Sequence, residues 1–428
     1  MNQQTVRRVA IVSANRIPFA RSNTAYARQS NQTMLTATLR GLVEKANLQG
    51  DRLGEVVGGA VMKHARDWNL IRECVLASGL SPATPAYDVT QACGTGLEAT
   101  ILVANKIALG QIEVGIACGV DTTSDAPVAV HRRLQRALMD LNGARTPVAR
   151  ASALLRALHP GNLLPELPAN REPRTGLSMG QHAERTAQVW GITREDQDAL
   201  AAASHQNLAA AYASGFFDDL VMPFGRLTRD NTLRPDTTAG RLASLRPVFD
   251  RRQGTITAGN ASPLTDGASA VLLASEAWAQ ARGMPVMAWF THSETAAVDF
   301  REEARDGLLM APVYAVPRML QRAGLGLQDF DFYEIHEAFA AVVLCTLAAW
   351  QSPRFCRDRL ALADALGTID RTRLNVCGSS IAAGHPFAAT GGRVVATLAK
   401  LLQQRGRGRG LISICAAGGQ GVTAILER

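Results

Sequence analysis

Cys93 stands in a sequence context that suits a catalytic thiol. It lies in QACGTGLEAT, where an apolar segment ends in a Cys-Gly-Thr-Gly turn and an apolar helical pattern follows. The dipole of that helix is expected to stabilise a thiolate, and the free backbone N–H groups of the turn can hold an oxyanion. The pattern therefore predicts a nucleophile, although a buried structural cysteine is the more common case for this residue type.

Three further residues have the chemistry that a thiolate nucleophile requires, namely a base to form it and an acid to protonate the leaving group. His385, in AAGHPFAATGG, has small neighbours that leave space around its imidazole. Cys415, in SICAAGGQG, opens a Gly-rich loop that can bring a second thiol and the N–H of Ala417 to a carbonyl. His336, in YEIHEAFA, is placed to hold a water or to donate to an oxyanion. Each alone is more often structural, but all four residues are predicted at strand ends, where open α/β sheets bind ligands.

The elements that would position these residues alternate between strands and helices. Short apolar segments at 7–14, 55–62, 113–120 and 268–275 predict buried strands, and the patterns at 34–47 and 96–110 predict helices. The alternation continues in the second half of the chain and indicates an α/β fold.

Two distant segments have the same order of elements. Residues 88–121 and residues 373–419 each combine a strand, a Cys-Gly turn, a helix and a second strand that ends in cysteine, with an insertion in the later copy. The repetition suggests an internal duplication whose two units pack together, with Cys377 as the counterpart of Cys93. Chance similarity between two βα units is the alternative.

The segment between the halves is predicted to be an inserted loop domain with a helix near 181–215. Residues 131–158 are basic, with Leu and Met at roughly helical spacing, and are expected to bind an acidic surface, a membrane interface or a partner subunit. A solvated face packed on the main domain is the simpler alternative.

The composition narrows the class of protein. Of 428 residues 47% are hydrophobic, which suits two or three globular domains, and no stretch has the roughly 20 apolar residues of a membrane span. The seven cysteines form no CxxC pair, so neither a zinc site nor a disulfide framework is expected, and the N-terminal apolar run is too short for a signal peptide. These features predict a cytoplasmic protein.

The net charge of +8 favours a small polyanionic ligand over nucleic acid, because aromatic residues are only 5% of the chain. An arginine-rich genome would explain the charge equally well.

Several motifs in order resemble those of the thiolase family over nearly the whole chain. They are RIPFAR (16–21), the Cys93 turn, CGVDTTSDAP (118–127), residues 179–206, GTITAGNASPLTDGASAV (254–271), HEAFA (336–340), GHPFAATGGR (384–393) and CAAGGQG (415–421). The HEAFA variant resembles the thiolase subunit of fatty-acid β-oxidation (trifunctional) complexes.

The resemblance implies a role for each matching residue. Cys93 would attack a 3-ketoacyl-CoA and keep the shortened acyl group as a thioester. His385 would take the thiol proton and, with a water held by His336, would stabilise the thioester oxygen of the departing acetyl-CoA enolate. Cys415 would protonate that enolate. The N–H groups of Cys93 and Ala417 would form an oxyanion hole. The positions predicted to contact substrate or coenzyme A are Ala258, Ser262, Ser178 and Met179.

The family fold would be two similar βαβαβαββ halves in a five-layer α-β-α-β-α arrangement. The first half would comprise residues 1–121 and 254–284, the inserted loop domain 122–253, and the second half 285–428. The family also implies a homodimer or tetramer, and coenzyme A as substrate with no metal or bound cofactor. A hydratase/dehydrogenase subunit, or peripheral membrane contact, is the expected partner of the basic segment 131–158.

Three alternatives are a ketosynthase of the same superfamily, a biosynthetic acetoacetyl-CoA thiolase and a catalytically silent lipid-binding relative. Cys415 argues against the first, because ketosynthases usually pair the nucleophile with two histidines and lack a second cysteine. Gly94 and Gly96 are expected to make the nucleophile turn more flexible than usual, and Ser178 stands where some short-chain thiolases have histidine. Acyl chain length therefore stays open.

Overall fold

A computed structural model describes residues 6–162, 164–169, 171–301 and 306–428. The strands are β1 (Val9–Arg16), β2 (Ala20–Arg21), β3 (Glu55–Gly58), β4 (Ala86–Asp88), β5 (Val114–Asp121), β6 (Ala129–Val130), β7 (Pro165–Glu166), β8 (Thr265–Ser275), β9 (Ala288–Ala297), β10 (Phe332–Ile335), β11 (Arg409–Ala416) and β12 (Gln420–Glu427). The α-helices are α1 (Asn31–Lys45), α2 (Leu70–Leu76), α3 (Thr95–Ala108), α4 (Arg132–Gly143), α5 (Pro147–Ala157), α6 (Met179–Val189), α7 (Arg194–Ala213), α8 (Ala239–Ala243), α9 (Glu276–Ala281), α10 (Pro312–Ala323), α11 (Ala340–Gln351), α12 (Pro353–Leu360), α13 (Ser380–Ala383) and α14 (Ala389–Arg405).

The main sheet consists of two half-sheets with the same construction. Its order is β10-β11-β12-β9-β1-β8-β5-β3-β4, and a short antiparallel pairing of β1 with β9 joins the halves. In the first half β4, β3 and β5 are parallel, and β8 and β1 are antiparallel to their neighbours. In the second half β10 and β11 are parallel, and β12 and β9 are antiparallel. A parallel bridge joins Tyr333 of β10 to Leu374. The segment at Leu374 therefore lies at the edge of the second half-sheet, in the position that β4 has in the first.

Three apolar clusters lie between the layers and pack them together. The central cluster joins both half-sheets to the sandwiched helices α3 and α14, through residues such as Leu97 and Val395. A second cluster packs α1 and α2 on the first half-sheet, and a third packs α10 and α11 on the other. Along β8, Leu272 belongs to the outer cluster and Leu273 to the central one, because alternate side chains of a strand point to opposite faces. The predicted five-layer thiolase-type α/β fold is confirmed.

The segment between β5 and β8 differs in detail from the predictions. The helix predicted near 181–215 is two helices, α6 and α7, since Gly191 takes a left-handed φ of 61° between them and Thr193 caps the second. Residues 131–158 form a helical hairpin of α4 and α5, where Thr146 and Pro147 start the second helix. Among the helices in the described part of the chain, none is long and apolar enough to cross a membrane.

Candidate active site

The nucleophile turn lies between β4 and the start of α3. Ala92 has a left-handed φ of 46°, so the chain reverses just before Cys93. The Thr95 hydroxyl donates to the Ala92 carbonyl at 2.7 Å and accepts from the Gln91 N–H at 2.8 Å, which holds the turn closed. Cys93 therefore stands two residues before a helix N-terminus, on a tight turn as the sequence predicts.

His385 is the direct partner of Cys93. Its Nε2 lies 3.0 Å from the Cys93 Sγ, and its Nδ1 lies 2.6 Å from the Thr390 Oγ1. Its backbone N–H donates to the Thr265 hydroxyl at 2.7 Å. The sequence predicts His385 at a strand end, but the residue lies between α13 and α14. The chain leaves the helical conformation there because Gly384 has a φ of 97° and Pro386 follows.

His336 lies directly after β10 and against His385, with 4.2 Å between the ring centroids. Its Nδ1 is 2.8 Å from the Ser380 Oγ, and its buried Nε2 has no hydrogen-bond partner. The sulfur of Cys93 and one nitrogen of each histidine lie within 4.8 Å of one another. The unpartnered nitrogen is thus available to a group that enters the site.

Cys415 and Ala417 approach Cys93 from the second half-sheet. Cys415 is the penultimate residue of β11, and two glycines with positive φ, Gly418 and Gly419, turn the chain into β12. The N–H of Ala417 is directed at the Cys93 sulfur, where it lowers the thiol pKa. Both halves of the molecule therefore contribute to one site.

Burial keeps the catalytic pair neutral at rest. It raises the pKa of the Cys93 thiol to about 12, although the N–H groups of Ala417 and Cys93 act in the opposite direction. It also lowers the pKa of His385 to about 3, and the nearby Arg393 charge adds to this effect. Burial therefore favours the neutral thiol, so the thiolate needs a base to form it, which is the role that the sequence predicts for His385.

Burial likewise raises the pKa of Cys415 above its ordinary range, and a neighbouring Cys93 thiolate would add to this effect. The pKa of His336 falls well below its usual value, first through burial and then through His385 and Arg393. Cys415 is therefore a thiol that can give a proton, and His336 is a neutral imidazole.

The sulfur and imidazole nitrogens are also donors that zinc accepts. Ligands around a tetrahedral zinc ion stand roughly 3.5 Å apart, given bonds of about 2.3 Å to sulfur and about 2.0 Å to nitrogen. The 3.0 Å between Cys93 and His385 is shorter and matches a thiol–imidazole hydrogen bond. The geometry therefore favours proton transfer over metal ligation.

A cavity of about 290 Å³ reaches three of the four residues that the sequence predicts to be catalytic. Cys93, His385, Cys415 and Ala417 line it, together with the apolar side chains of Met179, Phe249, Leu309, Phe339 and Phe387. Ser178 and Ser262 also line the cavity, but the Ser178 hydroxyl caps α6 by accepting from the Gln181 N–H. The site is therefore a reactive polar centre in an apolar chamber.

A second cavity of about 460 Å³ continues from the first towards the surface. The two share Phe249 and the 261–264 segment, and the outer one also contains Ala258. Arg21, Arg234 and His205 line its outer part. A long thioester with an anionic end would fit this passage, because the arginines suit phosphate recognition.

The glycines of the nucleophile turn provide close packing and not the expected flexibility. A Cβ on Gly96 would lie 2.5 Å from the Ala388 carbonyl oxygen, and one on Gly94 would lie 2.7 Å from Val422. The small residues let the start of α3 approach α14 and β12 closely. Cys377, the counterpart of Cys93 in the duplication, is buried in the central apolar cluster.

Several residues that contact or shape the site were missed from the sequence. Thr390 and Ser380 touch the two histidines, and Arg393 contacts Ser380. All three stand in or beside the GHPFAATGGR motif, so their polarity in a segment of small residues was the available signal. Arg21 and Arg234 carried no such signal, since they are far apart in sequence.

Comparisons with known proteins agree with this architecture. The family model described as "Thiolase, N-terminal domain" matches residues 9–277, and "Thiolase, C-terminal domain" matches residues 285–428. The chain is 42% identical to the 3-ketoacyl-CoA thiolase of Shewanella amazonensis over 98% of this chain and 97% of that protein. It is 40% identical to the 3-ketoacyl-CoA thiolase of Yersinia pestis over the same shares. The crystal structure of the Bacillus anthracis acetyl-CoA acetyltransferase aligns with a TM-score of 0.81 and 29% identity, over 99% of this chain and 100% of that one.

Proposed function

The chain belongs to the thiolase family and is an acetyl-CoA C-acyltransferase that cleaves 3-ketoacyl-CoA with coenzyme A, and we propose that it does so in fatty-acid β-oxidation through a Cys93 acyl-enzyme. The observation that carries the mechanism is the 3.0 Å contact between the Cys93 thiol and His385, in a cavity that Cys415 also lines. A nucleophile, its base and a second thiol acid are the groups that this reaction needs.

The first half-reaction begins when His385 Nε2 takes the Cys93 proton as the sulfur attacks the C3 ketone. The C2–C3 bond then breaks, the acyl group stays on Cys93 as a thioester, and the electron pair leaves with the acetyl-CoA enolate. Cys415 protonates the enolate carbon. His336, directly or through a water, and His385 stabilise the oxygen of that enolate.

The second half-reaction transfers the acyl group to coenzyme A. The proton that His385 took from Cys93 first passes to the Cys415 thiolate, so that His385 is a neutral base again. The incoming CoA thiol then gives its proton to His385, and its sulfur attacks the Cys93 thioester. The Cys93 sulfur leaves and takes that proton back from His385. The backbone N–H groups of Cys93 and Ala417 stabilise the oxyanion, which their orientation towards the sulfur supports. The reaction needs coenzyme A as a substrate and no permanently bound metal or redox cofactor.

Coenzyme A would occupy the passage between the two cavities. Its pantetheine arm would lie along Ala258 and Ser262, and its phosphates would face Arg21 and Arg234. Met179 and Ser178 would contact the acyl end, with Ser178 acting through its backbone and carbon atoms because its hydroxyl caps α6.

The degradative direction is supported by the apolar lining of the inner cavity and by the relatives named 3-ketoacyl-CoA thiolase at 40–42% identity. The alternative, a biosynthetic acetoacetyl-CoA thiolase, is represented by the acetyl-CoA acetyltransferase at 29% identity. With this role the enzyme would belong to lipid degradation, and we propose that it acts in the cytoplasm.

Thiolysis rates for 3-ketoacyl-CoA substrates of increasing chain length test this role. We expect kcat/KM to rise from the four-carbon substrate to medium or long chains, because each methylene buried in the cavity adds binding energy of about 0.8 kcal/mol. A preference for acetoacetyl-CoA would contradict it. Cys415→Ala should lose thiolysis but still exchange acyl groups with acyl-CoA, whereas Cys377→Ala, the matched buried cysteine, should keep both reactions.

A homodimer, alone or paired into a tetramer, is supported by the free edge of the first half-sheet. The last strand β4 pairs only with β3 in the described chain, and its three residues are all partly exposed. Such an edge can pair with a second copy. Light scattering in solution should give twice or four times the chain mass, and a monomer would contradict the assembly.

The hairpin of α4 and α5 would place the enzyme on an anionic membrane surface. Residues 131–158 contain six arginines and one aspartate, and the two helices pack mainly on each other. Arg133 and Arg136 share one open groove with Val148 and Leu155, which are 80% and 75% exposed. Basic and apolar side chains on one surface suit the interface of an anionic bilayer.

Sedimentation with vesicles tests the hairpin. Binding to mixed phosphatidylcholine and phosphatidylglycerol vesicles should fall with Arg133→Glu plus Arg136→Glu, and not with Arg226→Glu plus Arg229→Glu, which carry the same charge change on another surface. Equal loss in both pairs would contradict a local site. If the protein binds no vesicles but captures a hydratase/dehydrogenase subunit through the hairpin, the membrane proposal is wrong and that subunit is the partner.

A further inference from the structure

We propose that Arg393 and Ser380 act as positioning residues that fix His336 in the tautomer with its proton on Nε2, so that the ring presents a hydrogen-bond donor to the reacting centre. This inference deepens the proposed function, on which the catalytic meaning of the donor rests. It concerns two side chains that are not among the lining residues of the inner cavity.

The direction of the hydrogen bonds follows from the chemistry of arginine. The Arg393 guanidinium has only donors, and its Nη2 lies 2.8 Å from the Ser380 Oγ. The Ser380 oxygen therefore accepts from Arg393, and its single proton is left for another acceptor.

The remaining partner of that hydroxyl is His336. The Nδ1 of His336 lies 2.8 Å from the Ser380 Oγ, and no further acceptor for this hydroxyl is recorded among the described residues. A buried hydroxyl proton without an acceptor is unfavourable. Ser380 therefore donates to Nδ1, which must carry a lone pair.

A neutral imidazole has one proton, so a lone pair on Nδ1 places the proton on Nε2. The ring is neutral because it is almost completely buried, with the Arg393 charge nearby and a second imidazole 4.2 Å away. The Nε2 atom has no protein partner, and one nitrogen of the His336 ring lies within 4.8 Å of the Cys93 sulfur and of a His385 nitrogen. The donor is therefore aimed at the place where charge develops.

His385 requires the opposite tautomer. Its Nε2 must accept the Cys93 proton, so its Nδ1 carries hydrogen towards the Thr390 Oγ1 at 2.6 Å. The two adjacent histidines thus differ in role because different hydroxyl groups hold their Nδ1 atoms: one ring is a base and the other a donor.

Acidic residues act on the charge of Arg393. Arg393 is buried, and the carboxyl groups of Glu334 and Glu337 are the acidic groups that interact with it most. Glu337 is held by the Ser204 hydroxyl at 2.7 Å and the Asn375 amide at 2.7 Å. Burial and the charge of Arg16 act against these carboxyl groups, but the contact with Ser380 does not depend on that balance, since the guanidinium offers only donors.

The test removes the Ser380 hydroxyl and compares the neighbouring serine. Ser380→Ala should lower kcat for thiolysis about 10- to 100-fold, the range typical of outer groups that orient a histidine, with KM within about 2-fold. Ser379→Ala is the matched control, because the Ser379 hydroxyl lies 3.4 Å from Arg393 and has no recorded contact with His336. Ser380→Thr keeps the hydroxyl and should restore most of the rate.

Nitrogen-15 NMR of histidine-labelled protein reads the tautomer without using activity, with His336→Asn identifying the signal. The wild type and Ser379→Ala should show a protonated Nε2 on His336, and Ser380→Ala should show a mixture of tautomers. A protonated Nδ1 in the wild type, or an unchanged signal in Ser380→Ala, would overturn the proposal. If Ser380→Ala does not fold, Ser380→Cys, with a weaker donor of similar size, should shift the signal in the same direction.

Failure of this inference differs from failure of the proposed function. If Cys93 forms no acyl-enzyme, the function fails, yet the tautomer of His336 can still be measured. If the acyl-enzyme forms but Ser380→Ala leaves both rate and tautomer unchanged, only the role of Ser380 and Arg393 is lost.

Discussion

At the scale of single residues, the site separates proton transfer from charge stabilisation. The thiol and imidazole of Cys93 and His385 are both neutral at rest, since their environment is apolar. The sulfur thus becomes charged only as it reacts, when substrate and the N–H of Ala417 are present to share the charge. A resting enzyme with a neutral thiol would also resist adventitious oxidation.

This resting state predicts the pH dependence of Cys93 alkylation in the free enzyme. Because the folded pKa of the thiol is raised, the thiolate fraction grows with pH throughout the accessible range. The iodoacetamide rate should therefore increase steadily from pH 6 to about pH 10, below the raised pKa. Cys93→Ala corrects for the other six cysteines, which are all buried. A rate that reaches a plateau below pH 8 would indicate a thiolate–imidazolium pair instead.

The sequence predicted a set of candidate catalytic residues, and the structure brings Cys93, His385 and Cys415 together around one cavity, but the sequence did not predict their protonation. The types and neighbours of Cys93, His385 and Cys415 pointed to a nucleophile, a base and an acid. The pKa of each group depends on burial by distant segments, which no local pattern contains. The contacts of Thr390 and Ser380 with the histidines were missed for the same reason.

At the scale of elements, the catalytic residues are held by contact between α3 and α14, the central helices of the two halves. The Ala388 N–H donates to the Asp121 carboxylate at 2.8 Å, and the Ser269 hydroxyl donates to the Ala389 carbonyl at 2.6 Å. The loop that carries His385 is thereby fixed to β5 and β8 of the opposite half. Glycine at position 96 permits this approach.

Gly96→Ala tests the contact. Its Cβ would lie 2.5 Å from the Ala388 carbonyl, so the helices must separate, and we expect a loss of about 1–3 kcal/mol in the free energy of unfolding together with a reduced kcat. Urea unfolding and thiolysis assays measure both. Gly143→Ala, at the end of α4 with no atom within 4 Å of the new Cβ, should leave both unchanged or slightly increase stability. Equal effects of the two changes would argue against the contact.

Element predictions succeeded where hydrophobic periodicity is strong and failed where a turn residue intervenes. The strands predicted at 7–14 and 113–120 correspond to β1 and β5 within two residues. The single helix predicted near 181–215 ignored Gly191, whose left-handed conformation ends α6. Local backbone geometry, and not hydrophobicity, decided that boundary.

At the scale of the whole molecule, the binding passage exists only in the folded chain. Its outer part combines Arg21 from β2, Arg234 from the segment after α7, and the 257–264 loop. The sequence resemblance placed the pantetheine contacts at Ala258 and Ser262, but it could not bring the two arginines together. The net charge left a small polyanionic ligand open as a hypothesis, without indicating where such a ligand would bind.

The passage predicts the effect of removing its charge. Arg21→Ala or Arg234→Ala should raise the KM for coenzyme A about 10-fold with little change in kcat, since a charge-assisted contact far from the sulfur is lost. The effect should shrink at high salt, because the groove is open to solvent. Arg28→Ala, an exposed arginine outside the cavity, is the control. A fall in kcat without a change in KM would place these arginines in another role.

The central claim is that Cys93 carries the acyl group, and mass spectrometry of the intact protein tests it most directly. After incubation with a 3-ketoacyl-CoA and no free coenzyme A, the wild type should gain the mass of one shortened acyl group, located by peptide mapping on Cys93, and release acetyl-CoA. Cys93→Ala should gain no mass. An acyl group on Cys415, or any acylation of the Cys93→Ala protein, would contradict the account.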